Sequence, residues 1–262
     1  MLLYVVLIIL IIILVYIQKD DLFNEDLVIV SSHYKEDLEW LNSSSARVEV
    51  CDKKGSNRHP FGNNQKCSMG YNFGREAASF LKYIVEHYDS LPKYIAFIHG
   101  HEEAWHQPSD LLNRIRRCKK EKHDYISLNN MILITQGTDK FKLVHNEPII
   151  PNHKVVDPYL WAEITKAWPK VFEPVFKNGI PPYTRYVCCS QFVVSRDAIR
   201  KHPKKLYEGF YEWVSDVYGD DYIRGIFMEM VWEPLFTGIH SFDICEKIPN
   251  CNMKSYESSR FN

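Results

Sequence analysis

The first seventeen residues, Met1 to Ile17, are an unbroken apolar run without one charged side chain; beyond them the chain breaks into short apolar runs separated by polar turns. As a helix rising about 1.5 Å per residue, the run reaches roughly 25 Å, close to a hydrocarbon core of about 30 Å. No Lys or Arg precedes it and no Ala-x-Ala follows it, so an uncleaved signal-anchor fits better than a cleaved signal peptide. Tyr4 and Tyr16 stand near its ends, where amphipathic rings favour the membrane interface. The pattern predicts a transmembrane helix over 1–17, a short stem over 18–26, one domain over 27–245 and a C-terminal tail over 246–262. An extreme N-terminal apolar segment commits the rest to export, which points to the lumenal side of the secretory pathway, Golgi or endoplasmic reticulum.

Within the domain, Leu27-Val-Ile-Val-Ser31 reads as a buried strand and Glu36 to Leu41 as the start of a helix or turn. Arg47 to Cys51 is a second strand, followed by the turn-rich Asp52-Lys-Lys-Gly-Ser-Asn57. Ala77, Phe80, Leu81, Ile84 and Val85 recur at helical spacing and predict an amphipathic helix from Gly74 to Tyr88. Tyr94 to Ile98 is a buried strand, and Ser109 to Cys118 a helix capped by Ser109 or Asp110. This alternation predicts an α/β three-layer sandwich with a mostly parallel central sheet. From Gly137 to Pro182 the chain reads as long loops around a short helix near Tyr159 to Ala167. Gln191 to Val194 is a strand; Arg196 to Arg200, Leu206 to Val217 and Tyr222 to Phe236 are helical. The tail after Cys245 carries no pattern and reads as surface-bound or loose.

Composition narrows the classes. The chain is 45% hydrophobic and 14% aromatic, which excludes a disordered polymer. Its net charge of −1 leaves no overall electrostatic footprint for nucleic acid. Of seven cysteines, Cys51 with Cys67 and Cys245 with Cys251 have loop-like spacing and pair in an oxidising compartment; the equal alternative is that they stay reduced and partly buried.

The densest candidate chemistry is His99-Gly-His-Glu-Glu-Ala-Trp-His106, directly after a buried strand. Ligands sit beyond the carboxyl ends of parallel strands. His99, His101, Glu102 and Glu103 there suit a divalent metal, manganese or magnesium first and zinc second; the bland reading is a surface loop of hydrogen-bonding histidines. Asn72-Phe-Gly-Arg-Glu76 opens a helix whose free N–H groups and Arg75 guanidinium suit a phosphate, or else Asn72 simply caps it and Arg75 pairs with Glu76. Ser190 and Gln191 interrupt an apolar strand and need partners or substrate. The vicinal Cys188-Cys189 pair reads as two small buried residues rather than a redox or metal site. Glu229, among Phe227, Val231, Trp232 and Phe236, gains a raised pKa and the ability to act as a general base; its alternative is an outward-facing Glu, with Glu233 on the same face.

Together these motifs resemble an uncharacterised family, the domain of unknown function numbered 3431. They are Glu36-Asp37 with Trp40, Asn72 to Ala77, Phe97 to His106, Cys188 to Phe192, and Glu229 with Trp232 and Phe236. The resemblance covers roughly residues 27 to 242. In its order of elements that family looks like the nucleotide-sugar glycosyltransferases of the GT-A type. It therefore implies a membrane-anchored enzyme that moves a sugar from a nucleotide-sugar to a glycan or other hydroxyl acceptor. GT-A enzymes hold a divalent metal with Asp-x-Asp after the strand equivalent to Tyr94–Ile98; this chain has His-Gly-His-Glu-Glu instead. The resemblance implies Glu229 as the catalytic carboxylate and puts the strand from Gln191 beside the acceptor; His33, Asn72, Arg75, Glu76, Trp105 and Trp232 are the further residues expected to contact substrate. Two rival readings stand beside it: a metal-dependent hydrolase using His99, His101 and His106, and a non-catalytic carbohydrate-binding protein.

Overall fold

The computed structural model describes residues 26–53, 59–107, 110–136, 140–144, 149–150, 158–177, 183–238 and 253–261. The expected membrane span over 1–17 lies outside them, and so does the Cys245–Cys251 pairing. No helix among the described residues is long and apolar enough to cross a membrane.

The strands are β1 (Leu27–His33), β2 (Arg47–Asp52), β3 (Tyr94–His99), β4 (Tyr125–Ser127), β5 (Ile132–Gln136), β6 (Lys140–Val144), β7 (Ile149–Ile150), β8 (Tyr183–Val187) and β9 (Phe192–Ser195). The helices are α1 (Arg75–His87), α2 (Leu111–Arg117), α3 (Pro158–Ala167), α4 (Arg196–Ile199), α5 (Lys204–Ser215), α6 (Asp221–Thr237) and α7 (Met253–Arg260). The segment expected to start a helix at Glu36 forms a short 3₁₀ turn over Glu39–Ser43.

A five-stranded sheet with the order β2-β1-β3-β9-β4 forms the centre; it is mixed rather than mostly parallel as expected, because β9 enters between β3 and β4 from the opposite direction. β1 pairs in parallel with β2 and β3, whereas β9 runs antiparallel to both β3 and β4. Strands buried on both faces lose the polar alternation of a half-exposed sheet, which is why Leu27-Val-Ile-Val30 is apolar throughout. Val28, Val30, Ile95, Phe97, Phe192 and Val194 face α1, α5 and α6. Leu27, Ile29, Ala96, Ile98 and Val193 face the opposite layer, where Leu111 and Ile115 of α2 and Leu38 and Leu41 of the 3₁₀ turn pack. Helices flank both faces, as the alternating pattern implies. Phe80, Phe97, Phe192 and Trp232 form a connected aromatic centre, with Phe80 and Phe97 centroids 4.8 Å apart. Such pairs add about 0.5–1.5 kcal/mol beyond the area they bury.

Two regions differ from the sequence expectation. The stretch read as loops contributes strands to a second, antiparallel sheet with the order β7-β6-β5-β8. β5 leaves soon after β4 and β8 leads into β9, so this sheet extends one end of the first. Its strands have at most five residues, too few for a convincing period; pairing across the sheet decides them instead. The tail read as loose carries α7, whose Tyr256 is fully buried and accepts the Ser127 N–H at 2.7 Å. Glu257 there pairs with Arg114 at 3.0 Å.

The Cys51–Cys67 pair is a disulfide. It holds the 63–69 segment against the free edge of β2, where Met69 N–H donates to the Asp52 carbonyl at 2.7 Å and Asn64 N–H to Val50 at 2.8 Å. Closing sixteen residues removes about 3 kcal/mol of chain entropy from the unfolded state. Cys188 and Cys189 are buried and joined to each other, and Cys118 is a buried free thiol that burial pushes up to about 11.

Candidate functional site

The carboxyl ends of β1, β2 and β3 deliver His33, Asp52 with Lys53, and His99 to one edge of the sheet. The amino end of α1 adds Asn72, Arg75 and Glu76, and the first residue of α6 adds Asp221. Ser32, His33, Lys53, Asn72, Arg75, Glu76, His99, His101 and Asp221 all line a single polar cleft of about 300 Å³.

An unusual helix entry places Arg75. Gly74 and Arg75 both lie in the left-handed region, with φ of 71° and 43°. A side chain at Gly74 would meet Ala78 Cβ at 2.5 Å and the Val214 carbonyl at 2.8 Å. Non-glycine residues pay for such a φ, and the cost persists only where neighbours impose it. Asp221 imposes it here: its carboxylate accepts the backbone N–H groups of Gly74 and Arg75, the second at 3.2 Å. Asn72, considered as the cap from sequence, makes no such bond; α6 supplies the cap from a distance. Arg75 then lies over the Tyr222 ring at 4.9 Å, 3.9 Å from the Asp221 carboxylate. Its ion pair is thus with Asp221 across the helices rather than with Glu76 as considered from sequence, although its charge still lowers Glu76.

Lys53 is 2% exposed and donates through Nζ to the Arg75 carbonyl. Burial drives its ammonium down to about 8, against the opposing pull of Glu76 and Asp221. Burial also works to raise the Glu76 carboxyl, but His99, the Glu76 backbone N–H, Lys53 and Arg75 hold it below the ordinary carboxylate value. Burial takes His99 down to about 4, so its imidazole is neutral at neutral pH. The lasting cationic support of Glu76 therefore comes from Lys53 and Arg75. His99 Nε2 is buried without a hydrogen-bond partner, whereas its backbone N–H donates to Gln191 Oε1 at 3.2 Å.

Glu229 has the raised pKa that its apolar company suggests. Burial, then the Glu76 charge, pushes it up to about 8, and it accepts the Cys189 N–H at 3.0 Å. It is close enough to feel Glu76 but is not among the residues lining the cleft. Two interacting carboxyls thus rest in opposite states at neutral pH, Glu76 ionised and Glu229 protonated, which is the arrangement acid–base chemistry uses.

A second recess of about 540 Å³ adjoins the cleft and shares Tyr34, Glu36 and His101 with it. Lys35, Asp37, Trp40, Glu102 and Glu103 complete its wall. Glu36 fixes the partition: Oε2 accepts the N–H groups of Tyr34 at 2.7 Å and Lys35 at 3.1 Å, and Oε1 faces His101 at 3.7 Å. Gly100 packs so closely that a side chain there would meet Glu36 Oε2 at 2.9 Å.

The structure gathers His33, Asn72, Arg75, Glu76, His99 and His101 but separates the other expected site residues. Glu102 and Glu103 open onto the recess, away from buried His99. Among the described residues no three His, Cys, Asp or Glu side chains are arranged to hold a metal ion. The expected donor set does not fit one as it stands. His106 turns inward to Asn129 at 2.9 Å. Gln191 and Trp232, expected to touch substrate, are fully buried. Gln191 braces His99, Gln107 and Asn129, and Trp232 donates to Ser190 Oγ at 3.0 Å inside the aromatic centre. The polar interruption of that strand satisfies the core rather than a ligand. Trp105 is 65% exposed, outside the cleft lining. Lys53 and Asp221 were not legible as site residues; the signal for Lys53 is its place one residue beyond a parallel strand.

A profile of the family described as protein of unknown function (DUF3431) matches residues 28–254. No curated protein and no solved structure matches the chain.

Proposed function

We propose, for a chain that belongs to the DUF3431 family, a membrane-anchored glycosyltransferase that moves a sugar from a nucleotide-sugar to a hydroxyl acceptor. The observation that carries this reading is ionised Glu76 on the wall of a polar cleft, between the cations Lys53 and Arg75 and beside neutral His99. Lys53 and Arg75 supply two positive groups for a diphosphate. Glu76, which lines the cleft and is already ionised, accepts the proton of the acceptor hydroxyl as that oxygen bonds to the anomeric carbon. The carbon's bond to the diphosphate breaks as this happens, the nucleoside diphosphate leaving with its charge held by Lys53 and Arg75. Glu229, assigned that role on sequence grounds, holds its own proton and stands behind. No step is routed through a divalent ion, since the expected donors do not converge.

The adjoining recess supports a polyol acceptor. The Tyr34 and Trp40 rings offer apolar faces and Asp37, Glu102 and Glu103 offer acceptors, a combination suited to sugar rings. The apolar segment 1–17 and the Cys51–Cys67 disulfide fit an anchored domain on the lumenal side of the secretory pathway.

The test is transfer from a panel of nucleotide-sugars by the wild type and by Glu76→Gln. The variant should lose about 10³-fold in kcat while donor affinity changes little. Undiminished turnover would remove Glu76 from the chemistry. Donor binding without turnover in the wild type would favour a carbohydrate-binding protein.

A further inference from the structure

Among the described residues five large hydrophobic side chains are exposed; Trp105 is one, and the other four are Tyr71, Val217, Tyr218 and Tyr222. Those four belong to one corner, where the segment before α1 crosses the link between α5 and α6. Tyr71 shares a hydrogen bond with Tyr211 of α5. Gly74 packs against the Val214 carbonyl near the end of α5, and its N–H donates to Asp221 at the start of α6. Val217 and Tyr218 lie in the link itself, and Tyr222 is the second residue of α6. Exposed apolar groups scattered singly are ordinary, whereas a gathered set marks a place where something binds.

The corner opens directly onto the cleft, because Arg75 and Asp221 line the cleft and the Arg75 guanidinium lies over the Tyr222 ring at 4.9 Å. Tyr222 is still 46% exposed. The corner sits in the layer of α1, α5 and α6, whereas the recess with Tyr34 and Trp40 adjoins the 3₁₀ turn of the opposite layer. The cleft, with Lys53 and Arg75 in its wall, runs between the two.

Charge gives this path a direction. Glu212, Asp216 and Asp220 are exposed around the corner. Asp216 holds Arg224 at 3.3 Å, Asp220 accepts the Ile223 N–H at 2.9 Å and Asp221 caps α1, while Lys82 beside Tyr211 pairs with Glu86 at 3.3 Å. Such an acidic rim repels a phosphate, which Lys53 and Arg75 draw inward, but it does not repel a neutral aromatic ring.

We propose that the nucleobase of the donor stacks on Tyr222 at this corner, with the diphosphate inward on Arg75 and Lys53 and the sugar toward Glu76 and the recess. The inference rests on the transferase reading and lays the donor across the sheet edge in one direction. Every base presents a face that stacks on an aromatic ring, so Tyr222 adds affinity without choosing among bases. Tyr218, 96% exposed and four residues earlier, is a second ring in the same corner.

Calorimetric titration of the full chain with UDP, GDP, ADP and methyl diphosphate tests this; the last carries a diphosphate ester without a base. At least one nucleoside diphosphate should bind about tenfold more tightly than methyl diphosphate, as expected of one stacked base. Tyr222→Leu should erase most of that advantage and Tyr222→Trp should keep it, both variants binding methyl diphosphate as the wild type does. Equal affinity for all four probes in the wild type would overturn the base site and leave the transferase reading standing. A Tyr222→Leu loss that falls on methyl diphosphate as heavily as on the nucleotides would do the same, since Tyr222 would then only position Arg75. Binding of none of the four would overturn both.

Discussion

Lys53 and Lys201 both stand beside acids at an edge of the same sheet, yet they do different work. Lys201 reaches Asp124 at 2.6 Å at the water-facing surface, where an ion pair contributes about 0–1 kcal/mol and salt screens it. Lys53 is 2% exposed among Glu76, Asp221 and Arg75. Burial moves its ammonium down to about 8 even against the pull of Glu76 and Asp221. Residue type is thus a poor guide to role and solvent access a good one. Chemistry gathers where titratable groups have lost water.

The largest break in that contrast comes from Glu76→Gln, which should lower transfer about 10³-fold, or about 4 kcal/mol of barrier, as steady-state kinetics would report. Any single charge removed from the amino edge should leave kcat unchanged. Next comes the staple of the cleft edge. Cys51→Ser with Cys67→Ser should cost about 3 kcal/mol in chemical unfolding and loosen Lys53, which the same edge positions. Were stability unchanged, the disulfide would have no part in holding that edge.

A third variant acts on one guanidinium. A methyl at Gly225 would meet Arg75 Cδ at 2.5 Å, so Gly225→Ala should displace Arg75 and weaken donor binding about tenfold, a change of about 1.4 kcal/mol. Calorimetric titration with the preferred donor would measure it. A pH effect acts on stability rather than on donor binding. Glu229 rests near 8 in the folded chain against an ordinary 4.5, so across that window the unfolded chain releases a proton that the folded chain keeps. Stability therefore falls as pH rises from about 4.5 to about 8 and levels off above it. Glu229→Gln should flatten the Tm profile in that window. The smallest effect belongs to the amino edge: Arg116→Gln or Lys122→Gln should change stability by no more than about 0.5 kcal/mol.

Much of the central sheet is legible in the sequence because burial on both faces writes β1 and β3 as continuous apolar runs, and α1 as a clear 3.6-residue stripe. The second sheet is not, since its strands are short and owe their form to partners distant in the chain. The candidate site divides similarly. His33, Asn72, Arg75, Glu76, His99 and His101 are identifiable from motifs that follow strands or open a helix, and the fold brings them together. Glu102 and Glu103 carry the same motif signal, but a turn at Gly100 sends them to a different recess. Trp232 and Gln191 sit in equally suggestive motifs and belong to the core. Lys53 hides in a run that reads as an ordinary turn, and its environment comes from α1 and α6, over twenty and over 160 residues away.

The most direct test of the central claim is the melting temperature of the full chain and of Lys53→Met with a panel of nucleotide-sugars, each at saturating concentration. Ligand that binds only the folded state raises Tm by mass action, by about 2.7 kcal/mol of added stability at a hundred times Kd. The account predicts that at least one nucleotide-sugar stabilises the wild type and that Lys53→Met, though folded, loses most of that shift. A shift of equal size in both proteins, or none from any nucleotide-sugar in the wild type, would contradict it.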